Sequence, residues 1–350
     1  MFAVPIALLV LTVALRSDAV ELIAISNERS GTVSLVHSDD HSVISTIPVG
    51  KRPRGIHASP DGKFVYVALS GTPISGPPRL DADGNPIFNR EDPANSDHSA
   101  DAIGIIDVQK RELVRRIPSG SDPEQFAISK DGKRLFISNE DIGMVSIVNV
   151  AEGRVESTIE VREEPEGVAL TPDGARVYVT CETRGEVCVI DSRTTQKIGE
   201  FLVPGRPRTV AFLPNGSRGY VPSESKGTVH VIDTAGLKTI KAIKLPPGSR
   251  PMGTAMTRDG RLFISNGRAG TVSVIDTKKD EVTATIKVGK RPWGVVLSSD
   301  NQRLYVANGP SNDISVVDVK TLKEVARIPS GESPWGVAII PQRSAEASSF

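Results

Sequence analysis

Seven prolines set the frame of this chain: Pro53, Pro123, Pro165, Pro207, Pro251, Pro292 and Pro334, spaced 70, 42, 42, 44, 41 and 42 residues apart. Each opens a similar unit, such as "RPRGIHASPDGKFVYVALS" from Arg52, "EPEGVALTPDGARVYVTCE" from Glu164 and "RPWGVVLSSDNQRLYVANG" from Arg291. A fixed period of this length marks a stack of supersecondary units, each too small to bury its own apolar faces. In the copy from Glu164, "EGVAL" is followed by the turn "TPDG", then "RVYVT", then "EVCVID" after Gly185, and last "TTQKIGEFLV". These are four strands, with Gly174 free to take positive φ in the first hairpin. Apolar residues on both parities mean strands covered on both faces. No helical periodicity of comparable length competes. The expected fold is all-β: a seven-bladed propeller of four-stranded blades.

The last unit begins with "PWGVAII" and the chain ends ten residues later. Its missing strands are "ELIAIS", "GTVSLVH" and "SVISTIPVG", just past the N-terminal segment. One blade built from both ends of the chain would close the ring and pair both edges. The propeller is therefore expected over 20–341, with 342–350 a disordered tail.

Phe2 to Leu15 is uncharged and mostly apolar. Fourteen residues are too few for a bilayer span, which needs about 20, but suit the core of a secretory signal over 1–19, with Ala19 at the cleavage site. Basic residues before that core are missing. Export to the periplasm or beyond is expected, with no membrane span after cleavage. Lys plus Arg and Asp plus Glu are 42 each, so the basic excess of a nucleic-acid binder is absent.

The repeats "VYVT", "LFISN" and "LYVAN" with "GTVSVID" and "ATIKVG" resemble the YVTN-type β-propeller family over Glu21 to Pro341. That family is similar to the haem d1 domain of nitrite reductases and to lactonase propellers. The N-terminal segment, the seven repeats and one long insertion ending in "ADAIGIIDV" also resemble exported propellers associated with pyrroloquinoline-quinone (PQQ)-dependent alcohol catabolism. That resemblance implies an accessory or sensing role beside a periplasmic quinoprotein dehydrogenase. The expected function is non-catalytic binding of a small molecule or a partner redox protein by a monomer. The alternatives are an enzyme or a haem- or quinone-handling propeller, and an adhesive envelope protein. The fold itself requires no cofactor.

Function must be argued from a site. Loops entering the innermost strands surround the mouth of a propeller channel, so the residue after each anchor proline is expected there: Arg54, Glu124, Glu166, Arg208, Met252, Trp293 and Trp335. Around the ring these read as a charged half and an apolar half containing both tryptophans of the chain. Aromatic faces bind flat ligands, sugars or cations, and Arg and Glu orient polar groups. A channel plug with paired neighbouring charges is the other reading of the same residues. One step inside, His57 stands in a column otherwise filled by Ala127, Ala169, Ala211, Ala255, Val296 and Ala338. It suits either a ligand-binding imidazole or a packed one. The insertion 71–102 is a lid candidate on the same face. Within it Asp81, Asp83, Asn85, Asn89 and Asp92 follow the spacing of a calcium loop, with Pro86 where that loop needs Gly. Cys181 and Cys188 fall on consecutive strands. A two-residue turn at Arg184–Gly185 would oppose them directly, as a disulfide needs. Motifs for serine hydrolases, zinc peptidases, covalent haem and phosphate loops are absent, and the Asp residues of "PDG" and "VID" read as turn residues.

Overall fold

In the computed structural model, residues 21–74 and 96–341 are described, together with the backbone of 79–80 and 86–87. The segment 1–19, the tail 342–350 and the calcium candidates Asp81, Asp83, Asn85, Asn89 and Asp92 lie outside the described residues. Seven four-stranded antiparallel sheets form the ring, and a two-residue ribbon, Arg79–Leu80 with Pro86–Ile87, stands apart from them. We number the blades from the first complete unit: blade 1 spans 53–117, blade 2 123–160, blade 3 165–202, blade 4 207–244, blade 5 251–287 and blade 6 292–329. Blade 7 joins Pro334–Ile340 to Leu22–Asn27, Thr32–His37 and Val43–Pro48. Its closing pairs run from Leu22↔Ile340 to Asn27↔Pro334. The chain thus seals its own ring with hydrogen bonds.

The core is divided among the blade interfaces. Ile56, Val65 and Val67 of blade 1 pack on Leu22, Ala24 and Leu35 of blade 7, and Tyr66, Ile103 and Ile105 meet Phe126, Leu135 and Ile137 of blade 2. Alternate residues of one strand therefore serve two interfaces, which is why apolar residues occur on both parities. Outermost strands are covered on one face only, as the alternation of exposed with half-buried or buried residues along Glu281–Lys287 shows. The "PDG" motifs are hairpin turns: Ser59 Oγ donates to Asp61 Oδ1 at 2.6 Å and Gly62 has φ 70°.

The cysteines depart from the expected register. Cys181 lies opposite Glu186, and Cys188 opposite Val179. The turn holds four residues rather than two, so the thiols are diagonal neighbours, and both are free and buried. They replace a side-chain contact repeated elsewhere: Asn139 Nδ2 to Ser146 Oγ at 2.8 Å, Asn266 to Ser273 at 2.8 Å and Asn308 to Ser315 at 2.8 Å. The hydrogen bond with Cys188 and burial push the Cys181 thiol up, while the same bond holds Cys188 down.

Candidate functional site at the channel mouth

Six of the seven inner strands carry a register shift beside the anchor proline, between Pro123 and Phe126 in blade 2 for example. The residue after each of these prolines sits in that β-bulge, which re-aims its side chain towards the mouth. Blade 4 has a shorter inner strand, Ala211–Phe212, with Pro207 bridged separately to Ser223. The residue before every anchor proline has positive φ: Arg52, Asp122, Glu164, Arg206, Arg250, Arg291 and Ser333, all between 47° and 63°. This is a costly conformation for a residue other than Gly, and doubly so before Pro. It directs the carbonyl of Asp122 to the N–H of Glu140 at 3.1 Å and that of Arg250 to Gly267 at 2.8 Å. A hydroxyl of the preceding blade then grips the bulge. Ser26 Oγ donates to the carbonyl of Arg54 at 2.6 Å, Thr180 to that of Arg208 at 2.7 Å and Ser265 to that of Trp293 at 2.6 Å.

The four charged mouth residues are buried: Arg54, Glu124, Glu166 and Arg208 are 4%, 2%, 6% and 8% exposed. They pair with one another and with residues the repeat alignment left out. Arg54 contacts Glu124, Asp122 at 2.8 Å and Glu140 at 3.7 Å. Arg208 contacts Glu166 at 2.7 Å, Glu224 at 2.5 Å, and Glu182. Glu140, Glu182 and Glu224 directly follow the second strand of their blades ("SNE", "TCE", "PSE"), a column that could have been read from the sequence. Burial pushes Asp122, Glu166 and Glu224 up, but the neighbouring arginines more than offset this and hold all three below the usual carboxylate range. Glu140 behaves oppositely. Burial raises it to about 8 against the pull of Arg54, helped by Asp122 and Glu166. Glu182 is likewise raised by burial, against Arg208 and with Glu166 adding to the rise. Glu182 nevertheless stands against two guanidinium groups, those of Arg206 and Arg208.

Asp122, Glu124 and Glu140 bring ligand oxygens within 4.8 Å of one another. The guanidinium of Arg54 already sits among them, so the cluster has its cation.

In blades 5 and 6 the glutamate column changes to Gly267 and Gly309. The apolar mouth residues stand directly against these two positions. A Cβ on Gly267 would lie 3.2 Å from Met252 Cγ, and one on Gly309 3.5 Å from Trp293 Nε1. The missing carboxylates make room for the apolar half of the mouth. Trp293 and Trp335 have ring centroids 5.7 Å apart at 38°. Trp335 and Met252 are 7% exposed and form the floor, while Trp293 is half-buried. Arg291 lies over Trp293, its guanidinium carbon 5.0 Å from the ring centroid.

His57 packs edge-on to Phe126 with centroids 4.9 Å apart, and both Gln125 and the Phe126 backbone lie in hydrogen-bonding reach. Burial lowers it to about 4 despite those bonds, so it is neutral at pH 7. The described ends of the insertion are tied to the mouth. Arg52 donates to the carbonyl of Thr72 at 3.0 Å, Lys51 pairs with Asp97 at 2.7 Å, and the N–H of Asp122 donates to Asp101 at 3.1 Å. A groove of about 460 Å³ opens at the other end of the ring, among Ser129, Lys130, Asp131 and Asp173. Those are hairpin-turn residues that blades 1–6 repeat, whereas the mouth residues differ from blade to blade, so the mouth is the better candidate.

Two family models match separate parts of the chain. The lactonase 7-bladed beta-propeller model matches residues 18–171 and the cytochrome D1 heme domain model residues 219–338, each less than half the chain. No curated protein sequence matches significantly. Among solved structures, hydrazine synthase of Kuenenia stuttgartiensis is similar at 21% identity and TM-score 0.69, covering 84% of this chain and 91% of that one. A putative 6-phosphogluconolactonase of Bacteroides fragilis is similar at 17% identity and TM-score 0.73, covering 93% and 99%. A functionally unknown protein of Desulfotomaculum acetoxidans gives 14% and 0.74, covering 92% and 99%. At such identities the likeness is one of fold. The matched models are propeller models, and neither is the YVTN-type repeat nor the quinone-associated group.

Proposed function

We propose that this chain is an exported, non-catalytic propeller that binds a flat organic molecule on the apolar half of its channel mouth. The observation that carries the reading is the clearance of the glutamate column beside Met252 and Trp293. The repeat gives up two polar side chains where an aromatic surface is needed. The charged half is a buried, self-paired frame that holds the bulges in place. The described ends of the insertion are anchored at the mouth through Thr72, Asp97 and Asp101. The bound molecule would be a redox cofactor or product passed to or from a partner enzyme. A quinoprotein dehydrogenase is the partner the sequence resemblance suggests, and a haem-handling role agrees equally with the cytochrome D1 match.

Intrinsic fluorescence tests this reading, because the only two tryptophans lie at the mouth. PQQ or protoporphyrin IX should quench it saturably in the wild type. Calorimetry should show binding weakened by about 1–3 kcal/mol in Trp293→Ala. Unchanged emission with both compounds would contradict the reading.

A second reading has its own observation. Glu140, raised to about 8, lies beside Asp122 and Glu166, both held low. Acids pushed apart in this way suit proton transfer in hydrolysis. Proton release from 6-phosphogluconolactone above the spontaneous rate, abolished by Glu140→Gln, would favour it.

A further inference from the structure

The charges at the mouth are unevenly matched. In blades 1–4 the arginines on either side of the anchor prolines each have a carboxylate: Arg52 pairs with Glu28 at 3.2 Å, Arg54 with Asp122, Arg206 with Glu182 and Arg208 with Glu166. Blades 4–6 then place five more cations at the same end of the ring. They are Lys226 and Arg268 in the turns after the second strands, and Arg250, Lys290 and Arg291 in the approaches to the inner strands. Among the described residues none of the five has a carboxylate within ion-pair distance. The nearby acids are already engaged, Glu224 by Arg208 and Glu28 by Arg52, which leaves exposed Glu332 as the one unmatched acid of this sector. Arg250 and Arg291 are held there by the strained pre-proline backbone, at φ 52° and 47°, so their placement is built into the repeat. They flank Met252 and Trp293, each two residues away along the chain.

We infer that the molecule bound at the mouth is a flat aromatic polyanion whose carboxylates are received by Arg250 and Arg291 while its ring lies against Trp293. This rests on the mouth-binding reading above and adds the ligand's charge. A guanidinium receives a carboxylate through two parallel hydrogen bonds, and a pair of them beside an aromatic floor fixes both the plane and the edge of a ring. Arg291 rests on the Trp293 indole, a weak contact at an exposed site. A carboxylate is the stronger partner, so Arg291 turns to the anion as the ring arrives. The remaining cations, Lys226, Arg268 and Lys290, draw an anion towards this sector over a distance set by salt.

The test uses two ring systems, each in acid and ester form: PQQ with its trimethyl ester, and protoporphyrin IX with its dimethyl ester. Calorimetry of the full chain is expected to show at least one acid binding about ten-fold or more tighter than its ester. Arg250→Gln and Arg291→Gln should each weaken acid binding about ten-fold, the effect of one charge-assisted contact, and leave ester binding unchanged. Arg291→Lys keeps the charge but loses the fork and should fall between. Lys130→Gln, at the other end of the ring, should bind as the wild type does, and melting curves check that every variant folds. Equal binding of acid and ester that is lost in Trp293→Ala would overturn the charge assignment and leave the mouth as the binding site. Wild-type protein that binds none of the four would overturn both.

Discussion

Replacing Arg208 by Met tests whether the charged half of the mouth is a structural frame. The side chain is 10% exposed and contacts Glu166 at 2.7 Å, Glu224 at 2.5 Å, and Glu182. Methionine keeps most of the aliphatic stem, so packing changes little. Glu182 and Glu224 then keep only Arg206 as an ion-pair partner, and Glu166 loses its one direct ion pair. Removing one partner of a buried ion pair costs about 3–5 kcal/mol. At about 2 °C per kcal/mol for a ring of this size the melting temperature should fall by about 6–10 °C. The pH dependence has a definite sign. Without Arg208 the folded-state pKa values of Glu166 and Glu224, held low in the wild type, rise above the unfolded value of 4.5, and that of Glu182, already raised, rises further. A carboxyl raised in this way leaves stability intact below its unfolded pKa and removes it as pH climbs towards the folded one. The deficit against the wild type should be greatest at pH 7–8 and shrink towards pH 4.5. Urea denaturation at pH 5, 6, 7 and 8 measures it. A deficit below about 1 kcal/mol, or one that does not shrink in acid, would refute the reasoning.

Glu140→Gln should gain on the wild type between pH 4.5 and 8, because the wild type alone must keep a raised carboxyl protonated or bury its charge; melting curves across that window check it, and parallel curves would count against it. Gly309→Ala should fold and bind normally, since its Cβ meets Trp293 at ordinary contact distance, whereas Gly309→Glu restores the repeat's residue and should abolish fluorescence quenching by the acid probes without loss of fold. Truncation before Glu332 removes the strand paired with Leu22–Asn27 and the floor residue Trp335, and should unfold the ring, while truncation after Pro341 should change stability by less than about 0.5 kcal/mol; equal melting temperatures for the two would contradict the closure.

The fold was legible because every blade repeats the same local instructions. Pro53 and its equivalents, the "PDG" turns and the two-sided apolar runs each repeat enough times to align with one another. The split of blade 7 followed from counting "PWGVAII" against three orphan strands. The site was legible only in part. The column after the anchor prolines is visible because its members differ, from Arg54 to Trp335. Its partners, Glu140, Glu182 and Glu224, come from another strand and meet it only through the bulge and the strained pre-proline residue. That contact depends on three-dimensional register. Gly267 and Gly309 carried a sequence signal as gaps in the glutamate column, but its meaning required knowing that Met252 and Trp293 fill the gap. The cysteine register was misread because the turn after Cys181 holds four residues, Glu182 to Gly185, where two were expected.

The central claim is that a flat ligand rests on the apolar half of the mouth, and a crystal structure of the protein with the tightest-binding acid probe tests it most directly. The account predicts the ring system against the Trp293 indole, above Trp335 and Met252, with carboxylates at Arg250 and Arg291. A ligand found elsewhere, among the hairpin turns around Ser129 and Asp173 or on the outer strands, with the Trp293–Trp335 pair and Arg291 undisturbed, would contradict it.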